Sequence, residues 1–218
     1  RSTPLYSSAA SDVYKRQRDI VDSGEFGKLL QIQINFGEGP LFWSHPHSVD
    51  LILFFAGDRE LLSIQSNLSN VKVSNNNSVV SDPIIEQAIM YFKGGLVGSI
   101  SKIPGMNVVL GCENGEITIE SNGERIYIKK SLNDEPYFSH NAEPIIDNYQ
   151  GYQGTFAAID SLINNSRIMD YQKNNSVFLG QKILFGFVDS HINGGKIINI
   201  NEVSEEIEVL GKTGELFA

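Results

Sequence analysis

Residues 108–130 read VVLGCENGEITIESNGERIYIKK. Val108, Val109 and Leu110 run into Asn114-Gly115, and Ile117-Thr-Ile-Glu120 follows. Asn122-Gly123 comes next, and Arg125-Ile-Tyr-Ile-Lys129 answers it. Asn-Gly supplies the positive φ angles that a two-residue hairpin turn requires. Two such turns between β-branched runs predict three antiparallel strands in succession. Ile117 and Ile119 share one side, while Thr118 and Glu120 share the other. Tyr127 lies between Arg125 and Lys129 on the polar side of its strand. One face of this sheet therefore packs and the other carries polar groups.

The same signals extend outward. Ile89 to Phe92 ends in a Lys93-Gly94-Gly95 turn, and Leu96 to Ser101 is its hairpin partner. Upstream, Leu62 to Ser66 and Val71 to Val73 are short alternating runs. Leu30, Ile32, Ile34 and Phe36 alternate with Gln31, Gln33 and Asn35, which predicts a strand with one apolar face. After Pro46 an amphipathic helix runs from His47 to Ala56 and stops at Gly57. Tyr149 to Asn164 and Val177 to Ile192 read as long helices, the second broadly buried through Phe178, Ile183, Phe185, Phe187 and Val188. Lys196 to Ile200 closes with a short strand. Strands in the middle and helices on the flanks predict an α+β fold, an open, mainly antiparallel sheet with helices packed on one face.

Three segments follow from composition. Residues 1–17 lack an apolar period, and SSAASDVYKRQ at 7–17 resembles the translation of a sequencing-library adaptor, so this leader is set apart as disordered and non-native. Residues 18–201 form the folded domain, and residues 202–218 read as an acidic tail. The formal charge of −9 and the lack of basic runs argue against nucleic acid. No apolar stretch is long enough for a membrane span. A single cysteine, Cys112, fits a reducing compartment, which makes the cytoplasm the expected location.

Chemistry concentrates in residues 43–50, WSHPHSVD. His47 and Asp50 are three apart at a helix start and project from one face. A histidine near its unperturbed pKa moves protons at neutral pH, and a neighbouring carboxylate fixes its tautomer or raises its pKa. The same pair also suits a plain helix cap with a first-turn acid. His45 and His47 suggest a metal-dependent hydrolase, a reading that needs further ligands, and His140 and His191 stand isolated in sequence. Ser99 to Lys102 carries the spacing of a Ser-Xaa-Xaa-Lys nucleophile, but in a strand. Gly211-Lys-Thr213 lacks the earlier glycine of a phosphate loop, and no Gly-Xaa-Gly-Xaa-Xaa-Gly occurs.

The order of these segments resembles the C-terminal domain of the glucose–fructose oxidoreductase/inositol dehydrogenase (Gfo/Idh/MocA) family. The resemblance runs from about Arg18 to Asn201. It rests on Asp22-Ser-Gly-Glu-Phe-Gly-Lys-Leu29, on His47-Ser-Val-Asp50 with the run to Asp58, on Phe92 to Gly98, on Gly111 to Ile119 and on Phe178 to Ile200. It implies a fragment of an NAD- or NADP-dependent oxidoreductase acting on a hydroxyl of a sugar- or cyclitol-like substrate. The cofactor would be bound by a Rossmann domain outside this chain, so the chain alone is expected to be inactive. His47 would be the catalytic acid/base and Asp50 its partner, with Trp43, His45, Gln33 and Asn35 as substrate-binding candidates. The sheet would join copies into a homo-oligomer. Many members carry Asp four residues before the histidine and Gly two before it, where this chain has Trp43 and His45. That departure leaves a non-catalytic binding or assembly protein as the alternative.

Overall fold

A computed structural model of the chain describes residues 18–74, 78–121, 125–130 and 171–210, without the side chains of 171–177. The leader, the helix expected at 149–164, His140, the Asn122-Gly123 turn and residues 211–218 lie outside the described residues. Residues 18–22 are helical. Then come β1 (Leu29–Asn35), α1 (Leu41–Ser44), α2 (Pro46–Ala56), β2 (Leu61–Ser69), β3 (Ser78–Val79), β4 (Ile84–Phe92) and β5 (Val97–Ser101). They are followed by β6 (Asn107–Cys112), β7 (Gly115–Glu120), β8 (Arg125–Lys130), α3 (Tyr171–Ile192), β9 (Ile198–Asn199) and β10 (Glu208–Val209). No helix among the described residues is long and apolar enough to cross a membrane.

Eight strands form one open sheet in the order β8-β7-β6-β1-β5-β4-β2-β9. β6, β7 and β8 form the expected antiparallel meander, with Ile117 opposite both Leu110 and Ile128, but the first turn is made by Glu113 and Asn114 without positive φ, and Gly115 already belongs to β7, paired with Cys112. Neighbours run antiparallel except β1 and β5, which are parallel with Ile32 opposite Gly98 and Ile34 opposite Ile100. Residues paired across strands point to the same side. One side therefore gathers Ile32, Ile34, Ile64, Ala88, Met90, Ile100, Leu110 and Ile117, all buried, and α2 and α3 pack on it. The other side carries Gln33, Asn35, Gln65, Gln87, Ser99 and Thr118.

Close approach of helix and sheet depends on two missing side chains. A Cβ at Gly98 would run into Ile52 of α2, and one at Gly186 of α3 would meet Ile64 and Val203. The end of α2 is tied by Arg18, whose Nη1 donates to Phe54 O at 2.6 Å and Phe55 O at 2.8 Å while its Nε meets Asp22 at 2.6 Å. These are last-turn carbonyls without helical partners, and a cation suits that end of the dipole.

Three expectations need correction. A register shift between Leu29 and Gln31 makes Leu29 the buried residue and leaves Leu30 43% exposed. Phe178 is 72% exposed, and the inner face of α3 is made by Ile183, Leu184, Phe187 and Val188. The segment read as a tail from Glu202 continues inside the fold, since Val203 is buried and Glu208–Val209 pair in parallel with Ser78–Val79.

Candidate functional site

The corner between α1 and α2 is built by two prolines and a distant carboxylate. Pro40, extended at φ −61° and ψ 138°, leads into α1, and Pro46 opens α2, where a missing N–H costs nothing. Leu41 N donates to Pro83 O at 2.7 Å and Phe42 N to Asp82 Oδ1 at 3.0 Å, so the chain before β4 caps α1 from outside. Burial pushes the Asp82 carboxyl pKa up, against the helix N–H groups that pull it down. His45 is the hinge: its N donates to Leu41 O at 3.3 Å and its O accepts from Val49 N at 3.0 Å.

His45 is fully buried, with Nδ1 3.2 Å from Ser48 Oγ and no hydrogen-bond partner for Nε2 among the described residues. Burial lowers its pKa to about 4, opposed in smaller measure by the nearby Gly39 backbone. The Phe36 ring lies near both histidines, 5.3 Å from His45 and 6.3 Å from His47 by ring centroids. His47 is 8% exposed and lines a narrow slot with Ile34, Phe36, Leu51, Met106 and Val108. Trp43, one turn earlier, is 55% exposed. Asp50 is half-buried, its Oδ1 directed at Gly180 of α3, and burial raises its pKa to about 6.

The sequence-predicted residues thus separate into groups. Trp43, His45, His47 and Asp50 share the α1–α2 corner, but His47 faces Phe36 and β1 whereas Asp50 faces α3. Gln33 and Asn35 are not with them. They lie on the side of the sheet that no described helix covers, where Gln33 Nε2 and Ser101 Oγ both donate to Asn35 Oδ1, at 2.9 and 2.8 Å. His45 cannot line an open pocket, because it has no exposed surface. No group of three His, Cys, Asp or Glu able to hold a metal occurs among the described residues. Ser48 and Asp82 were missed. Ser48 was legible as the residue three after His45, whereas Asp82 acts on α1 across 40 positions and leaves no local signal.

The turn from β1 to α1 contains Gly37 and Gly39, the residue type that a pyrophosphate cradle uses. It does not fit one, since the first α1 N–H groups are directed at Asp82 and Pro83 and a carboxylate occupies the place of a phosphate.

No protein-family model matches this sequence, and no curated protein matches it. Solved structures match its fold. An oxidoreductase from Pseudomonas syringae superposes on 90% of this chain and 63% of its own, with a TM-score of 0.65 and 12% identity. An inositol dehydrogenase homolog from Azotobacter vinelandii, solved with NADH and myo-inositol, covers 89% of this chain and 63% of its own at a TM-score of 0.64 and 12% identity. Levoglucosan dehydrogenase, in complex with NADH and L-sorbose, covers 89% and 64% at a TM-score of 0.61 and 10% identity. At such identities the likeness is one of fold, and this chain spans about 63% of the length of the first two proteins. The α+β domain expected from the sequence is the one these oxidoreductases contain.

Proposed function

We propose that this chain is the substrate-side domain of an oxidoreductase that moves a hydride between a hydroxyl of a polyol or sugar and NAD or NADP. The observation that carries the reading is the α1–α2 corner, where His47 and Asp50 sit one helical turn apart beside a half-exposed Trp43, in a domain with a dehydrogenase fold. Fold alone does not assign chemistry. The side chains add to it a proton-exchanging imidazole, a carboxyl that burial brings near neutrality and a flat aromatic surface for a ring.

The dinucleotide would be held outside the described residues, which offer it no cradle, and it would supply the hydride chemistry. This chain's residues do the rest. His47 accepts the proton that the substrate hydroxyl must lose on oxidation and returns one on reduction. Asp50, one helical turn from His47 and facing α3, is its proposed partner. Trp43 stacks on the apolar face of the sugar or cyclitol ring. His45 holds the corner rigid through Ser48 and stays neutral. Copies of the protein associate through the uncovered side of the sheet, around Val109, Thr118 and Tyr127.

The upstream reading frame tests the proposal directly. A strand followed by a glycine-rich turn and a helix is expected there, and the joined protein should reduce NAD or NADP with a polyol from a panel. A frame without that pattern, or a joined protein inert to every polyol and sugar tried, would overturn the reading. Trp43 supports a second one, a binding or assembly protein, because it stands exposed where many members of the resembled family carry Asp. That reading expects polyol binding without turnover.

A further inference from the structure

A concavity of about 470 Å³ lies at the β2 edge, on the side of the sheet that no described helix covers, and His47 is not among its lining residues. Small-molecule sites span roughly 300–1,000 Å³. Its walls are fixed by hydrogen bonds. Ser66 N donates to Ser190 Oγ at 2.9 Å, and Ser190 Oγ donates to Lys196 O at 2.6 Å, which ties the end of α3 to β2. Gln65 Nε2 donates to Gly195 O at 2.7 Å, and Gln65 Oε1 accepts from Tyr91 OH at 3.1 Å. That amide is oriented and still keeps one N–H and one lone pair for a guest.

His191 is oriented too. Leu68 N–H donates to its Nδ1 at 3.1 Å, so Nδ1 is unprotonated and Nε2 carries the hydrogen. Burial lowers the pKa of this ring, which keeps it neutral. Asn67 and Gln87 are direct cross-strand partners and both exposed, which sets two more amides side by side on the rim. Ile89 is the one apolar side chain among the described residues that line the concavity.

None of those residues carries a charge at neutral pH. Among the described lining residues an anion would find no cation and a cation no carboxylate. An apolar guest would strip water from the amides without replacing it. A hydroxyl both donates and accepts, as each amide does. We infer that this concavity is a binding site for a neutral polyhydroxylated small molecule, an alditol or hexose, held by the Gln65, Asn67 and Gln87 amides and the His191 Nε2–H. The inference is independent of the role given to His47.

Nitrogen-15 spectra of the full chain, titrated with D-glucitol and separately with gluconate, test it. Gluconate has the same carbon skeleton and a carboxylate. Saturable shifts of the His191 ring and the Gln65 and Gln87 side-chain amides are expected with millimolar glucitol, and weaker ones with gluconate. Gln87→Ala should weaken glucitol at least tenfold and leave the melting temperature unchanged. His191→Gln removes the Leu68 acceptor, so its folding is checked by circular dichroism, while Gln87→Ala carries the test on its own. Four outcomes would overturn the inference: no saturation, shifts confined to His47, tighter binding of gluconate, or His191 shifts driven by protein concentration alone. The last would give the concavity to a second copy of the chain.

Discussion

His47 is 8% exposed and lines the slot beside Phe36. In the joined enzyme, His47→Asn should lower kcat by about 10²- to 10⁴-fold with a much smaller change in KM. Asn retains size and a hydrogen bond but cannot take a proton, and as a good helix cap it would preserve activity if His47 were only structural. Steady-state kinetics decide between the two. Asp50 offers a test in this chain by itself. Its pKa rises from 3.8 to about 6 on burial, so the folded state binds its proton more tightly than the unfolded chain. The associated stability is complete below the unfolded value and is lost as pH rises through about 6. Asp50→Asn should therefore stabilise the chain at pH 7, by about 1–3 kcal/mol, and the gain should vanish towards pH 4. His45 works the other way, its pKa being lowered from 6.5 to about 4, so its contribution is complete above 6.5 and lost as pH falls through about 4. The two slopes oppose each other, which is why the comparison of variant with wild type is the informative one. Urea melts at several pH values measure it, and a difference that did not change with pH would contradict the buried carboxyl.

At the scale of elements, the meander was legible because the alternation of Ile117 and Ile119 is a local signal, and β7 pairs as it requires, although its turn falls one residue earlier than Asn114-Gly115, on Glu113-Asn114. The long apolar helix α3 was legible for the same reason. What sequence did not carry is non-local. The parallel β1–β5 pairing places β1 in the middle of the sheet, and nothing in residues 29–35 specifies a parallel partner 66 positions away. The bulge that exchanges Leu29 for Leu30 breaks the very alternation from which the strand was read. Gln33 and Asn35 followed the polar side of β1 correctly, but that side is the one facing away from the α1–α2 corner, and only the placement of the helices shows it. Gly186 gives the element-scale prediction. Helix propensity favours Gly→Ala by about 1 kcal/mol, whereas a Cβ pressed against Ile64 and Val203 costs roughly 1–3 kcal/mol. Gly186→Ala should lower the melting temperature by several degrees, and Ile64→Val, which removes the δ-methyl, should return part of it. A stabilised Gly186→Ala would show that α3 rides further from β2 than these contacts require.

The whole molecule divides its work between two sides of one sheet. The covered side holds the apolar core and, at one end, the histidine corner. The uncovered side carries amides and hydroxyls, with the β2-edge concavity at one end and the β6–β8 meander at the other. Among the described residues, neither side offers what a dinucleotide needs. Pyrophosphate binding draws on backbone N–H groups at a helix start and a close approach through glycines. In the described part, α1 has its first N–H groups turned to Asp82 and Pro83, and α2 begins on Pro46, which has no N–H at all. The net charge of −9 opposes a dianionic ligand further. The full chain should therefore show no saturable NADH binding in the micromolar range by nicotinamide fluorescence, at low salt where electrostatic attraction would be strongest. The same chain joined to its upstream sequence should show it. If the chain alone gave a micromolar midpoint, the dinucleotide site would lie within these 218 residues, and the assignment of this domain to substrate alone would fail.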